Sequence, residues 1–522
     1  MAMALLTTAN RRFLTAVCNL LYSNPFLTDV VAFERDVLGK DFVDEGPVWS
    51  MLVSDPDRLR TNTWRIVERL QPVLKELRQQ LAEGSQSHEK DLLLYEDALL
   101  YYFYYQYYPR MVAATFRRTT GGKPSWAFYN EFRHEWQHFF NIPGVKLPTG
   151  HQPAHIFAGY YQVVRAFHHI FEQIIGSSLP AARLRGAVWQ SVFTHDMRRY
   201  RRSLFARMSE FATLITGPSG TGKELVARSI AMSRYVPFDE TRQWFQEDLT
   251  KLFFPINIAA LPGTLVESEL FGHKRGSFTG AVQDKRGWLE ACPPLGAVFL
   301  DEIGDLDGEI QVKLLRVIET RTFQSLGEGK AELHRFEGKL IAATNRNLGL
   351  AIRKGRFRED LYYRLCSDQI VTPSLRQQID ESPGVLRDLI LFMSRRVAGD
   401  EAEKLCEEAC EWIGKNLAPD YEWPGNYREL EQCVRNILIR KDYHAQQLEP
   451  RRNGGDFFSG ARGGGITANE LLKRYCTLVY AKTGSYEETA RRLEIDRRTV
   501  KAKVDEALLA QLKQTPRGSA SS

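Results

Sequence analysis

The chain has 522 residues, of which 43% are apolar and 26% charged, and a formal net charge of +6. Such a length exceeds one hydrophobic core and calls for three or four domains, while the composition excludes a fibrous or wholly disordered protein. No apolar run reaches the ~18 residues of a membrane span, and seven scattered cysteines without a CxxC pair suit a reducing cytoplasm rather than a disulfide framework.

The first segment, residues 1–187, is predicted to be mostly helical and regulatory, with turn signals at Ser54-Asp55-Pro56 and Gly121-Gly122-Lys123-Pro124. Its opening NRRFLTAVCNLLY has a twin-arginine look, but Asn19, the Asn24-Pro25 break and the lack of a small-residue cleavage site argue against export. LLLYEDALLYYFYYQYYPR is apolar all round a helix, which fits buried core or a subunit interface, with a ligand pocket as the alternative. EFRHEWQH formally matches HExxH through His134 and His138, and Glu131 and Glu135 each precede one of these histidines by three residues. With His168 and Glu172 one turn apart, the spacing also fits a Zn- or Fe-binding sensory bundle, against the simpler reading of satisfied core or surface histidines.

From 188 to 365 the pattern becomes short β-rich runs (ATLIT, AVFL, LIAAT) alternating with helices, as in a sheet wrapped by helices. ATLIT runs into Gly217-Pro218-Ser219-Gly220-Thr221-Gly222-Lys223 and then a helical ELVARSIAM. That order presents backbone N–H groups and a helix N-terminus to phosphates, with the lysine neutralising them. Glu224 stands where a Ser/Thr would normally reach Mg2+. Farther on, GAVFLDE ends a buried strand in Asp301 and Glu302, one to hold Mg2+ and one to activate water. Between them, HKRGSFTGAV has Gly276 and Gly280 bracketing Ser277-Phe278-Thr279, so the loop can bend sharply and either turn the Phe-Thr tip outward or form a surface turn whose Phe folds back into the core. Residues 366–445 are predicted to be a helical lid and 446–465 a Gly/Arg-rich linker.

From Arg451 to Ser522 there are 14 Lys/Arg against 8 Asp/Glu, so the tail holds the whole charge surplus and fits a nucleic-acid-binding end. Within residues 466–512, SYEETARRLEIDRRTVKAKVDEALL predicts two helices and a short turn, with Asp496 capping the second and Arg497, Arg498, Thr499, Lys501 and Lys503 decorating it. Residues 513–522 are expected to be a disordered tail.

GPSGTGKELVARSIA, NIAALPGTLVESELFGHKRGSFTGA, GAVFLDEIGDL, QVKLLRVIE, IAATNRNL, GRFREDLYYRL and WPGNYREL occur in this order, and from about 188 to 440 the chain resembles the AAA+ domain of bacterial enhancer-binding proteins, the activators of sigma-54 RNA polymerase. The resemblance implies an α/β AAA+ phosphate-loop ATPase using ATP and Mg2+ in a homo-hexamer or similar ring. It further implies that residues 217–224 bind phosphates and that Asp301 and Glu302 hydrolyse. Asn257 would link the catalytic glutamate to the 276–281 loop, Asn345 would sense the γ-phosphate, Arg358 and Arg364 would reach a neighbour's nucleotide, and Arg428 would act from the lid. Gly276, Ser277, Phe278, Thr279, Gly280 and Ala281 correspond to the loop that grips sigma-54, with Ser277 in place of the usual Ala. The end of the chain resembles a Fis-type helix-turn-helix for double-stranded upstream DNA, with Glu494 at a common glycine position. Two departures are about twenty extra residues near YVPFDETRQWFQEDLTKLFF and the lid segment PSLRQQIDESPG. The expected whole is a multidomain cytoplasmic activator, not membrane-bound; the alternative is an ATP-binding, ligand-controlled DNA-binding regulator that does not remodel sigma-54.

Overall fold

The computed structural model describes residues 5–45, 60–116, 126–246, 248–329, 332–444, 467–506 and 508–509; the expected linker at 446–465 and tail at 513–522 lie outside them. The chain divides into residues 1–443 and 444–522.

The first part of the larger unit is helical, as the sequence predicts: α1 (Thr8–Tyr22), α2 (Asp29–Leu38), α3 (Thr61–Ala82), α4 (Glu89–Phe116), α5 (Tyr129–Phe140), α6 (Pro153–Gln173) and α7 (Leu179–Phe193). The amphipathic helices α1 and α3 bury Leu14, Val17, Ile66, Leu70, Leu74 and Leu77 against α4. The tyrosine-rich stretch of α4 is core: Tyr95, Phe103 and Tyr107 are at most 1% exposed, and Phe103 meets Phe132 and Trp136 of α5 at 5.7 and 5.9 Å.

A parallel sheet follows. Its strands β1 (Thr213–Thr216), β4 (Phe253–Asn257), β5 (Ala297–Asp301), β8 (Lys339–Thr344) and β9 (Asp368–Val371) lie in the order β4-β5-β8-β1-β9. Pairs β2 (Phe238–Asp239) with β3 (Trp244–Phe245) and β6 (Thr322–Phe323) with β7 (His334–Arg335) form separate two-stranded sheets. Because side chains alternate across a pleat, Leu214, Leu300 and Ala342 enter one core, and Ile215, Phe299 and Ile341 another.

The second core corrects the expected boundaries. Ile170 of α6 and Val188, Trp189 and Val192 of α7 share it with the sheet, while α7 runs through 187/188 unbroken, so helices expected to belong to a separate first segment cover one face of the parallel sheet. At the other end β9 lies within the segment expected to be lid and pairs with β1 through Thr213 to Thr216; the lid helices begin at Leu375. A boundary drawn where composition shifts misses both, since a helix can serve two neighbours at once.

The extra residues near 235–254 form the β2–β3 hairpin, and its aromatic residues turn into the helical domain. Phe238 lies 4.7 Å from Tyr129 and 4.8 Å from Phe157, and Phe245 stacks on Tyr161 at 3.7 Å. The second departure, the lid helix Leu375–Glu381, is held through Gln378, whose Oε1 accepts from Ser178 Oγ at 3.0 Å. Both departures from the family pattern are therefore attachments to the segment that precedes the sheet.

In the smaller unit, helices Ala468–Thr483, Tyr486–Leu493 and Arg497–Lys503 pack around Cys476, Ala490 and Val500. Asp496 caps the last helix, its carboxylate accepting from the Arg498 N–H at 2.7 Å. Glu494 takes the left-handed conformation with φ of 53°, the backbone a glycine would adopt at less cost in that turn.

Candidate functional site

The centre of the sheet decides where a ligand sits. Neighbours β8 and β9 flank β1 on opposite sides, so the chain connections diverge at its C-terminal end and leave a crevice there. Residues 217–222 cross that crevice and lead into the helix Lys223–Met232. Two glycines are required by geometry as well as by φ. Gly220 has φ of 76°, and a Cβ there would stand 2.2 Å from the Gly425 carbonyl; at Gly217, with φ of 150°, it would stand 2.1 Å from Thr372 Oγ1.

The lid closes on this loop through main-chain groups. The Tyr427 N–H donates to the Gly220 carbonyl at 3.1 Å and Asn426 Nδ2 to the Ser219 carbonyl at 2.9 Å. Asn426 is itself held in the left-handed region at φ of 52°, a strain that this clamp offsets.

Around a cavity of about 590 Å3 the structure gathers Ser219 to Glu224, Asn257, Asp301, Glu302 and Arg428. Lys223 is buried, donates to the Gly217 and Pro218 carbonyls at 3.1 Å, and is pushed below the usual lysine range by burial, partly offset by Glu302 and Asp301. Burial, then the neighbouring Glu302 charge, raises the Asp301 carboxyl; a divalent cation would offset both effects, so the donor set fits Mg2+. Glu302 has φ of 56°, and its Oε2 accepts from the Asn345 main-chain N–H at 3.2 Å. That bond couples the end of β8 to the Glu302 carboxylate. Glu224, at the cavity's edge, is exposed and lies 3.4 Å from Arg228.

The opposite wall was not foreseen from sequence. Ile174, Ile175, Ala181 and Leu184, with Met393 of the lid, give the cavity an apolar side of the kind a purine base packs against. No local motif marks these residues, because Ile174, Ile175, Ala181 and Leu184, just after α6 and on α7, precede the phosphate loop by about thirty to forty positions and Met393 follows it at a far greater distance.

Arg358 and Arg364 do not join this cavity. They are exposed on or beside the helix Glu359–Leu365, where Arg358 pairs with Asp360 at 2.6 Å and Arg364 with Glu319 at 3.0 Å.

The loop at 276–281 is a turn on a paired base: His273 and Lys285 exchange main-chain hydrogen bonds at 2.9 Å. Gly276 and Gly280 have φ of 80° and 102°. Of the two courses open to the tip, Phe278 takes the second: it folds back, half-buried and edge-on to His273 at 4.9 Å, because an exposed ring gains by covering a neighbouring one. Thr279 stays exposed, and Val282, 79% exposed, is the apolar side chain left outward.

The simpler reading of satisfied histidines fits better than the alternative Zn or Fe site: among the described residues no three His, Cys, Asp or Glu side chains are arranged to hold a metal ion. Glu131 is taken by Arg110 at 2.5 Å and Glu135 by the Tyr107 hydroxyl at 2.8 Å. His134 and His138 sit on the exposed face of α5, opposite its buried Phe132 and Trp136. His168 faces Glu172 at 3.6 Å and stacks on Phe116 at 3.7 Å. Burial and Arg201 push His151 down to about 3, leaving it neutral.

A parallel sheet in this order, with a glycine-lined phosphate loop, a strand-end carboxylate pair and a helical lid, defines an AAA+ nucleotide-binding domain. Residues 193–371 match the family described as "Sigma-54 interaction domain". Over 240 residues the chain is 39% identical to the regulatory protein LuxO of Vibrio cholerae, covering 46% of this chain and 48% of LuxO. Over 304 residues it is 34% identical to the nitrogen fixation protein AnfA of Azotobacter vinelandii, covering 56% of this chain and 52% of AnfA. The solved structure of NtrX from Brucella abortus in complex with ATP aligns at 22% identity over 69% of this chain and 76% of NtrX, with a TM-score of 0.38. The chain spans about half the length of the curated relatives it matches. The similarity to these regulatory proteins lies in this domain.

Proposed function

We propose that this protein is a sigma-54-dependent transcriptional activator, which hydrolyses ATP in a ring and uses the 276–281 loop to remodel the closed promoter complex into an open one. The observation that carries the reading is the hydrogen bond from Asn345 to Glu302 in a chain whose sigma-54 interaction match also contains the loop: a change at the γ-phosphate position has a route to the base that cleaves it. In this mechanism Lys223 and the loop amides hold the phosphates, and Glu302 orients water and takes its proton. Bound Mg2+ would neutralise phosphate charge beside Asp301. Arg358 and Arg364, exposed in the single chain, supply charge to a neighbour's nucleotide on exchanging their present partners, which makes hydrolysis depend on assembly into a hexamer or similar ring.

The C-terminal helix Arg497–Lys503 is the DNA reader, with exposed Arg497, Arg498 and Lys501 directed at the major groove. The first segment gates the ATPase by covering the sheet.

Open-complex formation on a sigma-54 promoter, measured for the full chain and for Thr279→Ala at equal ATPase, tests the reading. Promoter opening by the wild type alone supports it; equal opening by both, or opening by neither, removes it. Truncation at 188 is unsuitable because it would cut α7 and uncover the sheet.

A further inference from the structure

Within the helical segment lies a second cavity, of about 300 Å3, at the small end of the ~300–1,000 Å3 range of small-molecule sites. Its walls are aromatic: Tyr104, Tyr105, Tyr160, Phe167 and Trp189 among others. Its charged groups are matched, Arg60 with Glu34 at 3.1 Å and Arg201 with Asp97 at 3.7 Å. An ion would therefore gain no uncompensated partner for its lost hydration. Tyr104, packed against Tyr105, Tyr108 and Tyr160, has no hydrogen-bond partner among the described residues, so it can serve a ligand hydroxyl or carbonyl. His155, on the same wall, bonds Tyr235 at 2.8 Å. Tyr235 also lines the cavity, and it follows the phosphate-loop helix by three residues.

We infer that this cavity binds a small, uncharged, ring-bearing molecule with one hydrogen-bonding group, and that occupancy is transmitted to the phosphate loop through Tyr235. The binding claim stands apart from the sigma-54 reading; the transmission claim requires only the ATPase.

Gly159 provides the test. It lines the cavity, sits inside α6, and a Cβ there meets nothing within 4 Å. Gly159→Leu should therefore fill the space without clashing and favour the helix. The full chain is titrated with 2-naphthol, followed by calorimetry and by phosphate release from ATP. The expected result is saturable binding and a changed ATPase rate in the wild type, binding weakened at least tenfold in Gly159→Leu, and a smaller loss in Tyr104→Phe. Absence of wild-type binding, or equal binding by the wild type and Gly159→Leu, overturns the site. Binding without any change in ATPase overturns the transmission to the phosphate loop. The thermal midpoint of Gly159→Leu, expected to match or exceed that of the wild type, separates a filled cavity from a misfolded chain.

Discussion

Arg165 of α6 donates from a guanidinium nitrogen to the Met232 main-chain oxygen at 3.0 Å. It also reaches the Arg234 carbonyl, and the neighbouring Gln162 donates to the Ser233 carbonyl at 2.9 Å. Met232 ends the helix that begins at Lys223. The orphan carbonyls at that end are thus satisfied by the segment preceding the sheet, with cationic charge at the negative end of the helix dipole.

Arg165→Met keeps the apolar stem and removes the donors. Leaving these buried carbonyls unpaired should lower stability by about 2–3 kcal/mol, read as a shifted denaturant midpoint, with weaker nucleotide binding because the phosphate-loop helix loses its anchor. An unchanged midpoint would mean that water replaces the arginine at no cost.

Phe245, 4% exposed, places an insertion residue among Trp126, Phe157 and Tyr161. Phe245→Ala should cost about 3–5 kcal/mol. Proteolysis followed with and without nucleotide should show cleavage appearing first in the helical segment. Cleavage confined to the β2–β3 hairpin would contradict this, because it would mean the hairpin does not support its neighbours.

Gly220→Ala introduces both a left-handed alanine and a clash with the Gly425 carbonyl. The lid must retreat, and nucleotide affinity should fall roughly tenfold or more, since strain of this kind costs on the order of 1–3 kcal/mol. Fluorescent-nucleotide titration measures it; wild-type affinity would show that the clamp from Asn426 and Tyr427 is dispensable.

The carboxylate pair separates catalysis from stability. Glu302→Gln should keep nucleotide binding while slowing phosphate release about 10²–10⁴-fold, the range for loss of a general base. The Asp301 carboxyl is raised above the ordinary aspartate range by burial and then by the Glu302 charge. For an acid raised in the folded state, the associated stability is complete below the unfolded value and is lost as pH rises through the folded one. Asp301→Asn should therefore be more stable than wild type near neutral pH without Mg2+, the gap closing as pH falls to about 4. A gap independent of pH would assign it to packing.

Several features were legible because they are local. The phosphate loop, the Asp301–Glu302 strand end and the Asp496 cap each depend on residue types within a few positions, where backbone conformation and side-chain reach are set by near neighbours. The alternation of short β-runs with helical patterns likewise carried the parallel sheet. Tertiary structure decided what depends on distant partners. Tyr107 and Arg110 of α4 claim the glutamates of the HExxH-like stretch. The hairpin at 238–245 belongs to an aromatic core built from residues about a hundred positions earlier. The first helical segment joins the sheet because α6 and α7 supply the apolar cover that one of its faces lacks, and burial of apolar surface is indifferent to where in the chain that cover comes from.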